Sequence, residues 1–178
     1  SLENTHSRYS IAYIQSLVNN FKLNEAYRYS LQLKEKKTNF FESDIVLLSK
    51  LIKNGKFKYA IEQVSSVNNN NYSALENLLT QIISNWLRIE NLNLSYEKAT
   101  QIFDKMDPRY KNLKKINKVF LSCYFKSQDL ENKFETLINN NSTDFSRYTY
   151  FYVNYLLKQK KIKKANDVLN LKLQQVPR

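Results

Sequence analysis

The chain has 178 residues and a formal charge of +12, with 28 Lys and Arg against 16 Asp and Glu, which fits one domain or one array of small repeats with a basic surface. A single Gly excludes a glycine-rich phosphate loop, a dinucleotide-binding fingerprint and a sheet of many tight hairpins. One His and one Cys exclude a multi-His/Cys zinc site and a disulfide framework.

The six alanines set the frame. Ala26 and Ala60 lie 34 residues apart, Ala60 and Ala99 39, and Ala99 and Ala165 66, close to two periods of 33. The vacant phase falls at Lys133. The extra residues before Ala99 are accounted for by Asn68 to Asn71, a polar loop insertion. Three residues before each anchor stand Leu23, Phe57, Tyr96, Leu130 and Ile162; four after stand Ser30, Val64, Phe103, Leu137 and Leu169. That spacing is one face of an amphipathic helix, and only Ser30 breaks it. A small anchor suits a close helix crossing. At Lys133 the crossing is either splayed, or the long stem runs outward past it.

In chain order the periodicity predicts helices over 7–20 and 23–35, 42–54 and 57–67, 72–91 and 94–106, 111–126 and 129–140, and 144–159 and 162–175. Ser43 and Asp44, Ser73, Ser95 and Asp144 are expected caps, and Gly55 after Asn54 an expected left-handed C-cap. Tyr148, Tyr150 and Tyr152 alternate as a strand would, while the repeat phase asks for helix there. The fold expected is all-α: a single array over 1–178, a right-handed superhelical solenoid of about five antiparallel helix hairpins at 7–35, 42–67, 72–106, 111–140 and 144–175.

Helix-turn-helix units of this length resemble tetratricopeptide repeats. The stretch from Ile45 through Asn54-Gly55-Lys56-Phe57 and Ala60 to Val67 looks most like one. Leu78 to Met106 is similar to a longer unit in bacterial, especially alphaproteobacterial, tetratricopeptide-like proteins. The family's helix-A aromatic and glycine are largely absent, and its closing proline is matched by Pro108 and Pro177 only. The resemblance implies a non-catalytic protein-interaction scaffold binding a peptide or protein segment on a concave face, without cofactor. Ala99 to Met106 also resembles the second helix of a pentatricopeptide repeat, which implies the alternative, a basic helical-repeat RNA-binding module.

In such a stack the first helix of each pair lines the concave surface. Counting back from the anchors gives Arg8, Ile11, Gln15 and Val18, then Glu42, Ile45, Ser49 and Ile52. The later units give Gln81, Ser84, Arg88 and Asn91, then Lys115, Lys118, Ser122 and Phe125, and last Arg147, Tyr150, Asn154 and Leu157. The peptide groove is expected from Gln81 onward, where cations and amides can hold a carboxylate and peptide backbone, with Phe125 and Tyr150 giving apolar contact. An acidic protein segment is the expected partner, nucleic acid the alternative; the charge also matches the background composition of an AT-rich genome. Cys123 and Trp86 are expected in the core, and Lys158, Lys160, Lys161, Lys163 and Lys164 in a solvated turn. No nucleophile–base set and no metal ligand set stands out. No apolar run reaches 18 residues. A start at Ser1 reads as a piece of a longer chain. The cytoplasm is the expected compartment, or the periplasm if a signal peptide was removed.

Overall fold

The computed structural model describes residues 2–38, 40–67, 73–139 and 145–174. Among the described residues the chain is all-α, with ten α-helices and no strand. They are α1 (Leu2–Asn19), α2 (Leu23–Glu35), α3 (Phe41–Lys53), α4 (Phe57–Val67), α5 (Ala74–Asn91), α6 (Tyr96–Asp104), α7 (Lys111–Tyr124), α8 (Leu130–Ile138), α9 (Thr149–Lys158) and α10 (Ile162–Gln174). Single 3-10 turns at Pro108–Tyr110 and Ser146–Tyr148 lead into α7 and α9. Among the described residues no helix is long and apolar enough to cross a membrane.

The even-numbered helices begin at Leu23, Phe57, Tyr96, Leu130 and Ile162, three residues before each anchor. Ala26, Ala60, Ala99 and Ala165 are all fully buried, as close helix crossings require. Ser30, Val64, Phe103 and Leu137 are buried too, whereas Leu169 is 41% exposed. The left-handed cap at Gly55 is present, with φ +68°. Ser73 caps α5 reciprocally with Glu76, and Ser95 accepts from Lys98 N at the start of α6.

Two expected caps act differently. Ser43 sits three residues inside α3 and accepts from Phe40 N. Asp44 is buried one residue further into α3, and its Oδ1 accepts from Gln63 Nε2 at 3.1 Å, while Gln63 Oε1 accepts from Lys34 Nζ at 2.6 Å. Asp144 and the Asn68 to Asn71 run lie outside the described residues.

The alternating tyrosines are helical. Thr149, Tyr152, Val153 and Leu156 are the buried face of α9, a spacing of three, one and three that only a helix provides. Tyr150 points out of the core at 70% exposure.

The chain divides into two compact units, Ser1–Leu94 and Ser95–Arg178, so the boundary falls between α5 and α6, inside the third expected pair. In the first unit α1 to α5 pack each against the next, and α1 also touches α3. Its core joins Leu48, Ala60, Val64 and Leu87, flanked by Ile45, Leu51, Phe57 and Ile61. In the second unit α6 to α10 pack in the same sequential way. Its core is larger and more aromatic: Phe134 stacks on Tyr152 at 5.1 Å among Ile116, Val119, Leu130 and Leu156.

Candidate functional site

The first unit contains a groove of about 490 Å³ between α1, α2 and α3. Its floor is apolar, from Ile14, Val18, Leu23, Tyr27, Phe41 and Ile45, and its rim polar. At one end Gln15 Nε2 donates to Glu42 Oε1 at 3.3 Å. Elsewhere on the rim Lys50 Nζ donates to Asn24 Oδ1 at 3.1 Å and lies 5.6 Å above the Tyr27 ring, and Lys53 is exposed on the next turn of α3. This is the form of a binding cleft: concave, largely apolar, with a few fixed polar groups.

The counted inward register finds this groove. Gln15, Val18, Glu42, Ile45 and Ser49 all line it, whereas Arg8, Ile11 and Ile52 do not. None of the counted positions from Gln81 onward lines it, and the two earlier sets are the more apolar ones.

The later sets divide between the two units. Gln81, Arg88 and Asn91 are exposed on one face of α5, with Ser84 half-buried beside them. In the second unit Lys115 is exposed, and Lys118 is held 2.6 Å from Asp104. Phe125 is half-buried with its ring edge-on to Tyr96 at 5.6 Å. Ser122 does not line a surface. It is fully buried, and its Oγ bonds Lys118 O, Tyr96 Oη and Lys133 Nζ. Arg147 and Tyr150 are exposed and Asn154 half-buried on the outward side of the Ser146–Tyr148 turn and α9.

At the vacant phase Lys133 is half-buried. Its ammonium ends in a part-buried node, 2.6 Å from Tyr96 Oη, 3.0 Å from Ser122 Oγ and 2.7 Å from Asp129 Oδ2. Burial alone would lower the lysine's pKa, but the bonds from Asp129 and Tyr96 raise it above its ordinary value. Burial alone would likewise raise Tyr96, and Lys133 and Ser122 instead bring it below its own. Hydroxyl, phenol and amine in mutual contact have the composition of a nucleophile with its base. Here the lysine is kept charged and the serine sealed, so the set ties α6, α7 and α8 together.

A second network spans α8 to α10. Glu131 takes Lys161 and Lys164, and Glu135 takes Lys164 at 2.8 Å and the Tyr152 hydroxyl at 2.8 Å. The Lys161 and Lys164 bonds hold Glu131 below the usual carboxylate range, and Lys164 and Tyr152 do the same for Glu135. Burial, then the bond to Glu135, pushes Tyr152 well up. Two of the five turn lysines are therefore structural rather than free in solvent.

Trp86 is half-buried. Cys123 is exposed, not a core residue: in α7 the buried positions are Ile116, Asn117, Val119, Leu121 and Ser122, and the next residue turns away from them. Among the described residues no cluster of His, Cys, Asp and Glu is arranged to hold a metal ion. No family model, curated protein or solved structure matches the chain.

Proposed function

We propose that the chain is a non-catalytic interaction scaffold, and that its first unit holds a peptide or protein segment in the groove between α1, α2 and α3. Within each unit we read the helix pairs as a tetratricopeptide-like stack. Buried small residues three positions into α2, α4, α6 and α10 support that reading. The observation that carries the functional reading is the groove itself. Five of its lining residues are those an inward-facing first helix would present. The fitting ligand is a short segment that places apolar side chains on Val18 and Ile45 and a carboxylate near Lys50 and Lys53.

The test is a peptide-display selection on the full chain, followed by titration of the enriched peptides. Ile45→Lys should weaken them by about tenfold or more, the loss expected when one buried anchor contact is removed. The triple charge reversal Arg88→Glu, Lys118→Glu and Arg147→Glu, at residues that do not line the groove, should leave affinity nearly unchanged. Enriched peptides that ignore Ile45→Lys but are lost with the triple reversal would move the site to the cationic rows. A selection without any enriched motif would overturn the reading.

A further inference from the structure

The second unit carries a surface of another kind. From Phe145 to Asn166 the sequence has no Asp or Glu and six cations: Arg147, Lys158, Lys160, Lys161, Lys163 and Lys164. Lys161 and Lys164 are engaged by Glu131 and Glu135. The other four are exposed. Opposite its buried face, α9 with the preceding turn presents Arg147, Tyr150, Phe151, Asn154, Leu157 and Lys158. Tyr150 is 70% and Phe151 46% exposed.

The two rings are held in place. Phe151 packs edge-on against Phe120 of α7 at 5.4 Å and beside Tyr148 at 6.1 Å, and Tyr150 stands edge-on to Phe151 at 5.7 Å. Rings fixed in advance lose little freedom when a flat ligand stacks on them.

We propose that this face binds single-stranded nucleic acid, with bases stacked on Tyr150 and Phe151 and phosphates held by Arg147 and Lys158 on the face and by Lys160 and Lys163 in the adjoining turn and first turn of α10. The exposed cations Arg147, Lys158, Lys160 and Lys163 are complementary to a polyanion, and exposed aromatic rings beside Arg147 are what unpaired bases use. A second copy of the same face is disfavoured, because apposition would bring like charges together. A lipid surface is a poorer fit: Asn154 and the Tyr150 hydroxyl would be drawn toward hydrocarbon, where an unmade hydrogen bond is costly. The same two polar groups can bond base edges. The proposal is independent of the peptide groove in the first unit.

The experiment titrates the full chain with a labelled oligouridylate of about twenty nucleotides, enough to cover one such site. Salt is varied between about 50 and 200 mM, and vesicles containing phosphatidylserine are titrated in parallel. Four phosphate contacts should give a log–log salt slope of about −3, and Arg147→Gln should reduce it by about 0.7. Tyr150→Ala should weaken binding by about five- to 150-fold, the range for one lost base stack, without changing the slope; Tyr150→Trp should restore it. The ring is largely exposed, so circular dichroism should be unchanged. Binding that Tyr150→Ala leaves intact would overturn the proposal, as attraction to bulk charge alone. So would absence of binding at the lowest salt, or Tyr150-dependent binding to the vesicles in place of the oligonucleotide.

Discussion

The two units carry charge unequally and use it differently. Ser1–Leu94 has 11 basic and 8 acidic side chains, a net of +3, while Ser95–Arg178 has 17 and 8, a net of +9. In the second unit Asp104, Asp107, Asp129, Glu131 and Glu135 are all paired internally with Lys or Arg. Each of these pairs neutralises a cation as well as a carboxylate, so the unit's surplus of nine resides in its remaining basic side chains. The first unit, with a smaller surplus, keeps an apolar groove. One repeat pattern thus carries a cleft in one unit and a charged aromatic face in the other.

The crossings sharpen the contrast. Ala60 is sealed in the first unit, whereas Lys133 takes the same phase in the second with three polar partners. Exchanging the residues should therefore not be symmetrical. Ala60→Lys introduces volume and an unpartnered charge, and should cost about 3–5 kcal/mol or more. Lys133→Ala leaves Tyr96 and Ser122 still bonded to each other at 3.0 Å, and should cost about 1–3 kcal/mol. Urea denaturation midpoints at neutral pH measure both. If Ala60→Lys moved the midpoint no more than Lys133→Ala, Ala60 would not lie at a close crossing.

The helices were legible because their signal is local. Anchors and caps within a few residues of one another set the starts at Leu23, Phe57, Tyr96, Leu130 and Ile162. The same local counting picks out Gln15, Val18, Glu42, Ile45 and Ser49, which share the groove of the first unit. What failed depends on distant partners. Nothing near Lys133 announces Tyr96, 37 residues earlier, and nothing near Asp44 announces Gln63, 19 residues later. Ser122 is expected on a surface, but it lies on the buried face of α7 and bonds Tyr96 and Lys133 of other helices. Cys123 is expected in the core because Val119 to Phe125 is apolar apart from Ser122, so periodicity marks the inner face poorly.

The Glu131 and Glu135 network gives the second unit an acid-sensitive component. Both carboxyls have folded-state pKa values below their ordinary ones, so their contribution is complete above the unfolded range near about 4.3. It is lost as pH falls through the lowered folded values. Glu131→Gln should cost about 1 kcal/mol at pH 7, because Lys161 and Lys164 remain partly exposed. The gap from wild type should narrow at an acid pH below the lowered folded-state value, where the Glu131 carboxyl is protonated and neutral as Gln is. Paired urea titrations at the two pH values decide it; a gap that persists in acid would mean that Glu131 contributes through packing instead.

The smallest effects lie in the turns, where the two units share one geometry with different residues. Between paired helices the backbone turns left-handed at Phe21, Gly55, Asn93, Lys126 and Lys160, with φ of 58°, 68°, 45°, 52° and 59°. The next amide donates back to the last helical turn, as Lys22 N does to Leu17 O at 2.8 Å and Lys161 N to Leu156 O at 2.9 Å. Only Gly55 adopts this conformation without a steric cost. A Cβ at Gly55 would meet nothing within 4 Å, so Gly55→Ala isolates the backbone penalty, about 1 kcal/mol. Lys160→Gly removes that penalty but loosens the unfolded chain, leaving a net gain of about 0.5 kcal/mol. Asn93→Gly should change little, because Asn tolerates the left-handed region. Thermal unfolding resolves the three, at roughly 4–8 °C per kcal/mol for units of this size. A loss of stability in Lys160→Gly would show that the Lys160 side chain contributes more than its strained backbone costs.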